Sequence, residues 1–280
     1  MSLGLDGSLL VLSLEPRGPR LDDHALEPGP VVDADVLVEG LDRARRAAGL
    51  DAAGTAVVAA DPDVARDLRA RGFGVVAPVE STVTGTLSFA HGDGFSHAVE
   101  ELEPDLTSVR VRWNPGDDAD VKKEQALGLT RLAAWLHETD RKLLVEVVVP
   151  PLPADLDQVG RDHDRFVSEL RPGLSVEAVR EIRELGTEAD LWAVEHGASS
   201  ADLDALVTEA GRDEVGVLVI VASPDQPLDP PAGHVRGMLV DRPVWRAALA
   251  GATGARGVDA DAVAAALSRF IEFHAARRSS

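Results

Sequence analysis

Short apolar runs alternate with longer amphipathic stretches along most of the chain. Eight of these runs are predicted to be strands, at 8–15, 54–60, 74–80, 108–113, 143–149, 190–195, 215–222 and 235–240. The run at 143–149 is apolar except for Glu146, which is typical of a parallel strand covered on both faces. The pattern therefore predicts buried strands inside an α/β protein.

Helical spacing of apolar residues marks the segments between these runs. Helices are predicted at 33–49, 61–71, 94–103, 118–140, 175–186, 200–211, 242–251 and 260–277, and the segment 154–170 has helix character. Asp33 or Asp35 is the expected N-cap of the first helix, and Asp61 caps the second, which has Pro62 at its first position. The longest helix is expected to bury a stripe of leucines, namely Leu127, Leu129, Leu132 and Leu136.

The alternation of strand and helix predicts the α/β class and one (β/α)8 TIM barrel domain over residues 1–280. An open, doubly wound sheet is the alternative arrangement of the same elements. The Pro-rich segment 223–233 lies inside one strand–helix unit, so we interpret it as a rim loop and not as an interdomain linker.

Composition narrows the possible partners mainly by exclusion. The net charge of −20 argues against nucleic acid and anionic membranes, which bind clustered lysines and arginines. No apolar run approaches the ~18 residues of a membrane-spanning helix, and the first residues lack the pattern of a signal peptide. The chain contains no cysteine, which removes disulfides and thiolate chemistry. We therefore expect a cytoplasmic protein, and a homo-oligomer is left open.

Charged residues collect where the predicted strands end, which is the end of a barrel that carries active sites. They are Glu15, Arg17, Glu80, Arg110, Arg112, Glu146, Glu195, Asp241 and Arg242. A network of ion pairs that closes the top of the barrel is the structural alternative to a binding or catalytic site, because buried charges need partners. Trp113 and Trp245 lie near the same end and are either core residues or ligand platforms.

Metal chemistry has little support in the sequence. The pair His91 and His97 lacks the spacing of a helical zinc site, and His196 next to Glu195 is a weak alternative ligand set with Glu146. We predict no metal and no cofactor. The chain has three lysines, of which Lys122 and Lys123 are expected on the solvated side of the 118–140 helix. Lys142 precedes the fifth strand, at the opposite end of the barrel from the active-site end.

The segment 141–195 resembles the aldolase-like domain fused C-terminally to bacterial 5-dehydro-2-deoxygluconokinase, a domain that also occurs alone. That domain is similar to the class I tagatose-bisphosphate aldolases. The motifs APVEST (77–82), VRVRWNPGDD (109–118) and GMLVDRPVW (237–245) extend the resemblance to nearly the whole chain, as does LSLEPRG (12–18). The resemblance implies a (β/α)8 barrel and a carbon–carbon lyase of carbohydrate metabolism, in inositol catabolism, which attacks its substrate with a lysine.

The chain departs from this pattern at the residues that the chemistry needs. A Schiff base requires a lysine amine, and the family's lysine on the sixth strand corresponds to Ala193 between Trp192 and Val194. Two further family lysines correspond to Ser81 and Ser108. The family's Gly-Arg-Thr phosphate motif becomes Asp241-Arg242-Pro243, which adds a negative charge and removes an N–H donor.

We therefore expect an aldolase-like barrel that has lost Schiff-base catalysis, a pseudoenzyme that binds a small anionic sugar metabolite. Arg17, Glu80, Arg112 and Arg242 are the predicted ligand contacts. The first alternative is an active lyase on a keto-deoxy sugar-acid phosphate such as 2-deoxy-5-keto-gluconate 6-phosphate. It would use Glu146 and Glu195 as general acid and base. The second alternative is a non-catalytic scaffold for protein interactions.

Overall fold

A computed structural model of the chain describes residues 8–13, 32–50, 54–81, 86–195, 200–210, 215–221, 235–250 and 258–278. Its eight strands are all parallel and form a closed barrel in which each strand pairs with its neighbours in sequence order, and β8 pairs with β1. The strands are β1 Leu9–Ser13, β2 Thr55–Val58, β3 Gly74–Pro78, β4 Leu106–Arg112, β5 Leu143–Val148, β6 Leu191–Glu195, β7 Gly216–Val221 and β8 Val235–Val240. The (β/α)8 prediction is confirmed.

Among the described residues, a helix separates every pair of consecutive strands except β7 and β8, between which residues 222–234 are not described. The helices are α1 Ala34–Ala47, α2 Pro62–Ala70, α3 Phe95–Leu102, α4 Ala119–Glu138, α5 Pro153–Gln158, α6 His163–Arg165, α7 Arg171–Glu184, α8 Ser200–Ala210, α9 Arg242–Ala250 and α10 Ala260–Arg278. A 3-10 turn at Gly92–Gly94 precedes α3, and a π-helical turn at Phe166–Leu170 joins α6 to α7. No helix among the described residues is both long enough and apolar enough to cross a bilayer.

Local sequence signals explain where several helices begin. Asp61 accepts hydrogen bonds from the N–H groups of Asp63 and Val64, and Pro62 occupies the first helical position of α2, as predicted. Asp118 caps α4 in the same way. Asp33 precedes α1 without a side-chain cap hydrogen bond, so the predicted cap position is right but the expected interaction is missing.

The buried stripe of α4 differs from the prediction at one position. Leu129, Leu132 and Leu136 are buried, but Leu127 is 72% exposed. At about 100° per residue, Leu127 is roughly 200° away from Leu129 around the helix, and its side chain therefore lies on the opposite face. Ala126 and Ala133 complete the stripe instead. The prediction that Leu127 belongs to the core is wrong.

Alternation along the strands separates the barrel interior from the outer core. An apolar cluster fills the inside, and its members are Leu9, Val11, Ala56, Val58, Val76, Leu106, Leu144, Leu191, Ala193, Leu218, Ile220 and Leu239. The intervening residues, such as Val109 and Val111 on β4, pack outward in a second cluster with the helices. The interior is therefore solid with side chains over most of its height, and polar chemistry is confined to the C-terminal end.

Candidate active site at the C-terminal barrel mouth

The inner face of β4 carries a row of polar side chains toward the C-terminal end of the barrel, called here the mouth. Val109 and Val111 point outward into the core between strands and helices. Ser108, Arg110 and Arg112 therefore face inward, because successive side chains of a strand point to opposite faces. Ser108 is fully buried, and no group in the described parts of the chain forms a hydrogen bond with its hydroxyl.

Arg110 is the centre of an ion-pair network in the mouth. Its Nη2 lies 2.9 Å from Glu146 Oε2 on β5 and 3.1 Å from Asp241 Oδ2, directly after β8. In addition, Glu80 Oε2 accepts a hydrogen bond from the Arg110 backbone N–H at 3.2 Å. Since β4 and β8 lie on opposite sides of a closed eight-stranded barrel, the pair between Arg110 and Asp241 spans the interior. We call these four residues, Glu80, Arg110, Glu146 and Asp241, the mouth cluster.

Three of the four members of the mouth cluster are almost completely removed from solvent, while Glu80 is partly exposed. The side chains of Arg110, Glu146 and Asp241 are 8%, 0% and 2% exposed. Burial lowers the pKa of the Arg110 guanidinium, but the charges of Asp241, Glu146 and Glu80 raise that pKa well above its ordinary value. Arg110 is therefore a permanent cation that holds buried carboxylates together, which is the ion-pair alternative anticipated for these strand ends.

A second ion pair in the mouth involves a residue that sequence reasoning missed. Arg171, the first residue of α7, is 4% exposed, and its Nη1 lies 3.4 Å from Glu195 Oε1 at the end of β6. The chain between β5 and α7 is broken into α5, α6 and a π-helical turn, where the sequence predicts only helix character followed by a helix from 175. The Arg-Pro pair at the start of α7 signals a helix start, but it does not indicate a partner on β6.

Ala193 occupies the position that the aldolase resemblance assigns to the Schiff-base lysine. It is fully buried in the apolar interior cluster, in register with Glu146 on β5 and Leu218 on β7. The position is therefore an inward-facing one next to a buried carboxylate, but its side chain is only a methyl group. No amine is available there to attack a carbonyl.

The three lysines pair with carboxylates that do not belong to the mouth cluster. The Lys122 Nζ is 3.0 Å from Glu181 Oε2 on α7 and donates to the Pro115 carbonyl. Its side chain is only 14% exposed, so the predicted solvated position is wrong for Lys122, whereas Lys123 is 69% exposed. Lys142 pairs with Asp190 at the N-terminal end of the barrel, as expected from its place before β5.

Some of the other predicted contact residues lie at the rim of the mouth, and others fall outside the residues that the structure describes. Arg112 is partly exposed at the end of β4, and its guanidinium makes no ion pair within the described parts of the chain. Arg242 begins α9, and its backbone N–H donates to Asp241 Oδ1 at 3.2 Å. Ser81 lies just beyond β3 and is partly exposed. Glu15, Arg17, His196 and the loop at 223–233 lie outside the described residues.

Asp241 has a different role from the one inferred from the altered phosphate motif. Its side chain does not face the solvent next to α9 but pairs with Arg110 across the barrel. Asp241 therefore supplies a structural ion pair and also places a negative charge at the start of α9. Both effects disfavour a phosphate at this helix N-terminus.

Trp113 and Trp245 are core residues and not ligand platforms. Both are fully buried. The Trp113 Nε1–H donates to Glu181 Oε2, and the Trp245 Nε1–H donates to the Ser13 carbonyl. Each indole therefore has its one polar atom satisfied inside the protein, which leaves no face or donor for a ligand.

A clamp of hydrogen bonds fixes two rim loops just beyond Arg112. The buried Asn114 donates from Nδ2 to the Pro150 carbonyl at 2.8 Å and to Asp155 Oδ2 at 2.7 Å, and its Oδ1 accepts from the Gly116 N–H. These bonds tie the loop after β4 to the loop after β5 and hold the backbone next to Arg112 in place.

Neither a metal site in the described part of the chain nor a known protein family is identified. Within the described residues, no cluster of three or more histidine, aspartate or glutamate side chains is arranged to hold a metal ion. No protein-family model matches the chain, and no curated protein matches it significantly.

Proposed function

We propose that the protein is an aldolase-like barrel without Schiff-base chemistry that binds a small anionic sugar metabolite in its C-terminal mouth. The observation that carries this proposal is Ala193, a buried methyl group at the inward-facing position next to Glu146. All three lysines of the chain lie elsewhere, so the chain has no lysine for a carbon–carbon lyase of this class.

Arg112 supports the binding part of the proposal. Arginines that only stabilise a fold are usually engaged by carboxylates, as Arg110 and Arg171 are. Arg112 has no such partner in the described chain, although several carboxylates lie in the same mouth. A partly exposed guanidinium on a strand end can form two parallel hydrogen bonds with a carboxylate or a phosphate oxygen pair.

The carboxylates that an active lyase would use are tied into ion pairs. Glu146 is held by Arg110, and Glu195 is held by Arg171. A general acid or base has to exchange a proton with the substrate, and a carboxylate that neutralises a buried guanidinium loses that interaction when it is protonated. Ligand binding without turnover leaves both ion pairs intact, whereas catalysis by Glu146 or Glu195 would require one of them to break.

Substitution of Arg112 by glutamine tests the proposal. We expect wild type to bind gluconate or glucose 6-phosphate, and Arg112→Gln to weaken that binding by about 10- to 100-fold, the usual value of a hydrogen bond to a charged group. Isothermal titration calorimetry measures both affinities. Arg161 is an exposed surface arginine (81% side-chain exposure). Arg161→Gln is therefore the matched control and should bind as wild type does.

Two outcomes would count against this function. If wild type binds neither compound, the scaffold alternative gains support. If binding occurs but is the same in Arg112→Gln, the anion contact lies elsewhere on the molecule.

A further inference from the structure

The chain after β3 turns back along itself at the rim of the mouth. Residues 79–81 pair in antiparallel fashion with the returning chain, where the Ser81 N–H donates to the Ser88 carbonyl at 2.7 Å. We call residues 79–81 and 86–90 the rim ribbon. It carries Glu80, a predicted ligand contact whose side chain is partly exposed. The position of the rim ribbon therefore decides where this carboxylate lies.

A buried amide joins the rim ribbon to the end of β4. Gln125 on α4 is only 4% exposed. Its Oε1 accepts a hydrogen bond from the Leu87 N–H at 3.0 Å, and its Nε2 donates to the Arg112 carbonyl at 3.2 Å. One side chain thus connects the two backbone segments that carry Glu80 and Arg112, both of which are predicted to contact the ligand.

Apolar contacts also hold the rim ribbon against the helices. The side chains of Leu87 and Phe89 lie over Gly128, where an added Cβ would be 3.6 and 3.9 Å from them. The Phe89 ring is 5.0 Å from the Phe95 ring of α3. Apolar contacts are non-directional, so they permit the ribbon to shift along α4. The hydrogen bonds of Gln125 do not, because each joins one particular donor to one particular acceptor.

We infer that Gln125 is a positioning residue of the proposed ligand site, which holds the rim ribbon and the end of β4 at the separation where one ligand contacts both Glu80 and Arg112. The inference rests on the proposed function. Gln125 itself is too deeply buried to touch the ligand, and it acts through the two backbone segments that it joins.

The helix itself does not require an amide at this position. Gln125 precedes Ala126 in the buried stripe of α4, and leucine has about the same helix propensity as glutamine. Both hydrogen bonds of the Gln125 side chain go to residues outside α4. Burying an amide is costly unless its groups are bonded. The amide therefore serves the contact between the rim ribbon and β4.

Substitution of Gln125 by leucine in the full chain tests the inference with two measurements. Exchange of the Leu87 amide hydrogen, followed by NMR, should accelerate about tenfold or more, because this N–H loses its acceptor. The affinity for whichever of gluconate and glucose 6-phosphate wild type binds more tightly, measured by calorimetry, should fall about 3- to 10-fold, the usual value of a hydrogen bond. Thr130→Val removes a hydroxyl of the same helix that faces Thr187 and not the rim ribbon. It is the matched control and should change neither quantity.

Gln125→Glu separates positioning from packing. The carboxylate keeps the acceptor for the Leu87 N–H but opposes the Arg112 carbonyl, whereas a protonated carboxyl can donate to that carbonyl again. Burial raises the pKa of a carboxyl at such a position. We expect this variant to bind gluconate more weakly than wild type at about pH 7.5 and to approach wild-type binding at about pH 5, where gluconate keeps its charge.

Unchanged exchange at Leu87 in folded Gln125→Leu would overturn the inference whether or not a ligand binds. Faster exchange with unchanged affinity would overturn it as well and leave the proposed function intact, while a wild type that binds neither compound would overturn both. Should Gln125→Leu not fold, Gln125→Glu decides by affinity, and wild-type affinity of that variant at about pH 7.5 contradicts the inference.

Discussion

Replacement of Arg110 by leucine is expected to lower the free energy of unfolding by about 3–5 kcal/mol, the usual cost of leaving buried charges without their partner. Glu146 and Asp241 would remain at 0% and 2% side-chain exposure with their shared cation removed. Denaturant unfolding followed by circular dichroism measures this loss. Arg161→Leu, at an exposed ion pair with Asp157, should change the free energy by only about 0–1 kcal/mol.

The triple variant Arg110→Leu, Glu146→Gln, Asp241→Asn separates the charge effect from the packing effect. Removing both carboxylate charges should recover part of the lost stability, because the neutral amides no longer require a cation. If Arg110→Leu costs less than about 1 kcal/mol, the mouth cluster does not hold the barrel closed, and our account of the ion pair across the interior is wrong.

Replacement of Gly237 by alanine is expected to destabilise the protein by more than about 4 kcal/mol or to prevent folding. The added methyl group would overpack and strain the contact between β8 and β1. An added Cβ would lie 1.8 Å from the Leu9 carbonyl oxygen, which is backbone and cannot move aside as a side chain can. Leu9 and Gly237 are paired where β1 and β8 close the barrel, and the pairing of β7 with β8 shifts register immediately before Gly237. Glycine at this point permits the close approach of the strands.

Gly173→Ala is the matched control for this substitution. Gly173 is exposed in α7, and an added Cβ there meets nothing within 4 Å. Because alanine has the higher helix propensity, the variant should be about 0.5–1 kcal/mol more stable than wild type. If Gly237→Ala is as stable as wild type, β1 and β8 do not approach each other as closely at Leu9 and Gly237 as the structure indicates.

The architecture could be predicted from the sequence because each unit carries its own local signals. Runs such as 143–149 are too short and too rich in valine for helices, and Asp61 with Pro62 marks a helix start within a few residues. These signals depend on backbone preference and periodicity, which act over one or two turns. The error at Leu127 arose from counting apolar residues without their angle around the helix.

The candidate site could be predicted only in part, because its contacts are between residues far apart in sequence. Charged strand ends identified the mouth, but they did not show that Arg110 pairs with Asp241, which is 131 residues away across the barrel. Arg171 was missed because its partner, Glu195, is on another strand–helix unit. Which of two neighbouring inward arginines is engaged by carboxylates, Arg110 or Arg112, depends on the depth of each in the closed barrel and not on its neighbours in sequence.

The most direct test of the central claim is reductive trapping. Wild type is incubated with dihydroxyacetone phosphate or 5-keto-gluconate and sodium borohydride, and intact mass and peptide mapping then detect any stoichiometric adduct, with a class I aldolase and its own substrate as the positive control. Our account predicts no adduct, because Ala193 has no amine and Lys122, Lys123 and Lys142 are paired with carboxylates outside the mouth cluster. A stoichiometric adduct on any of these lysines that depends on the ligand would contradict it.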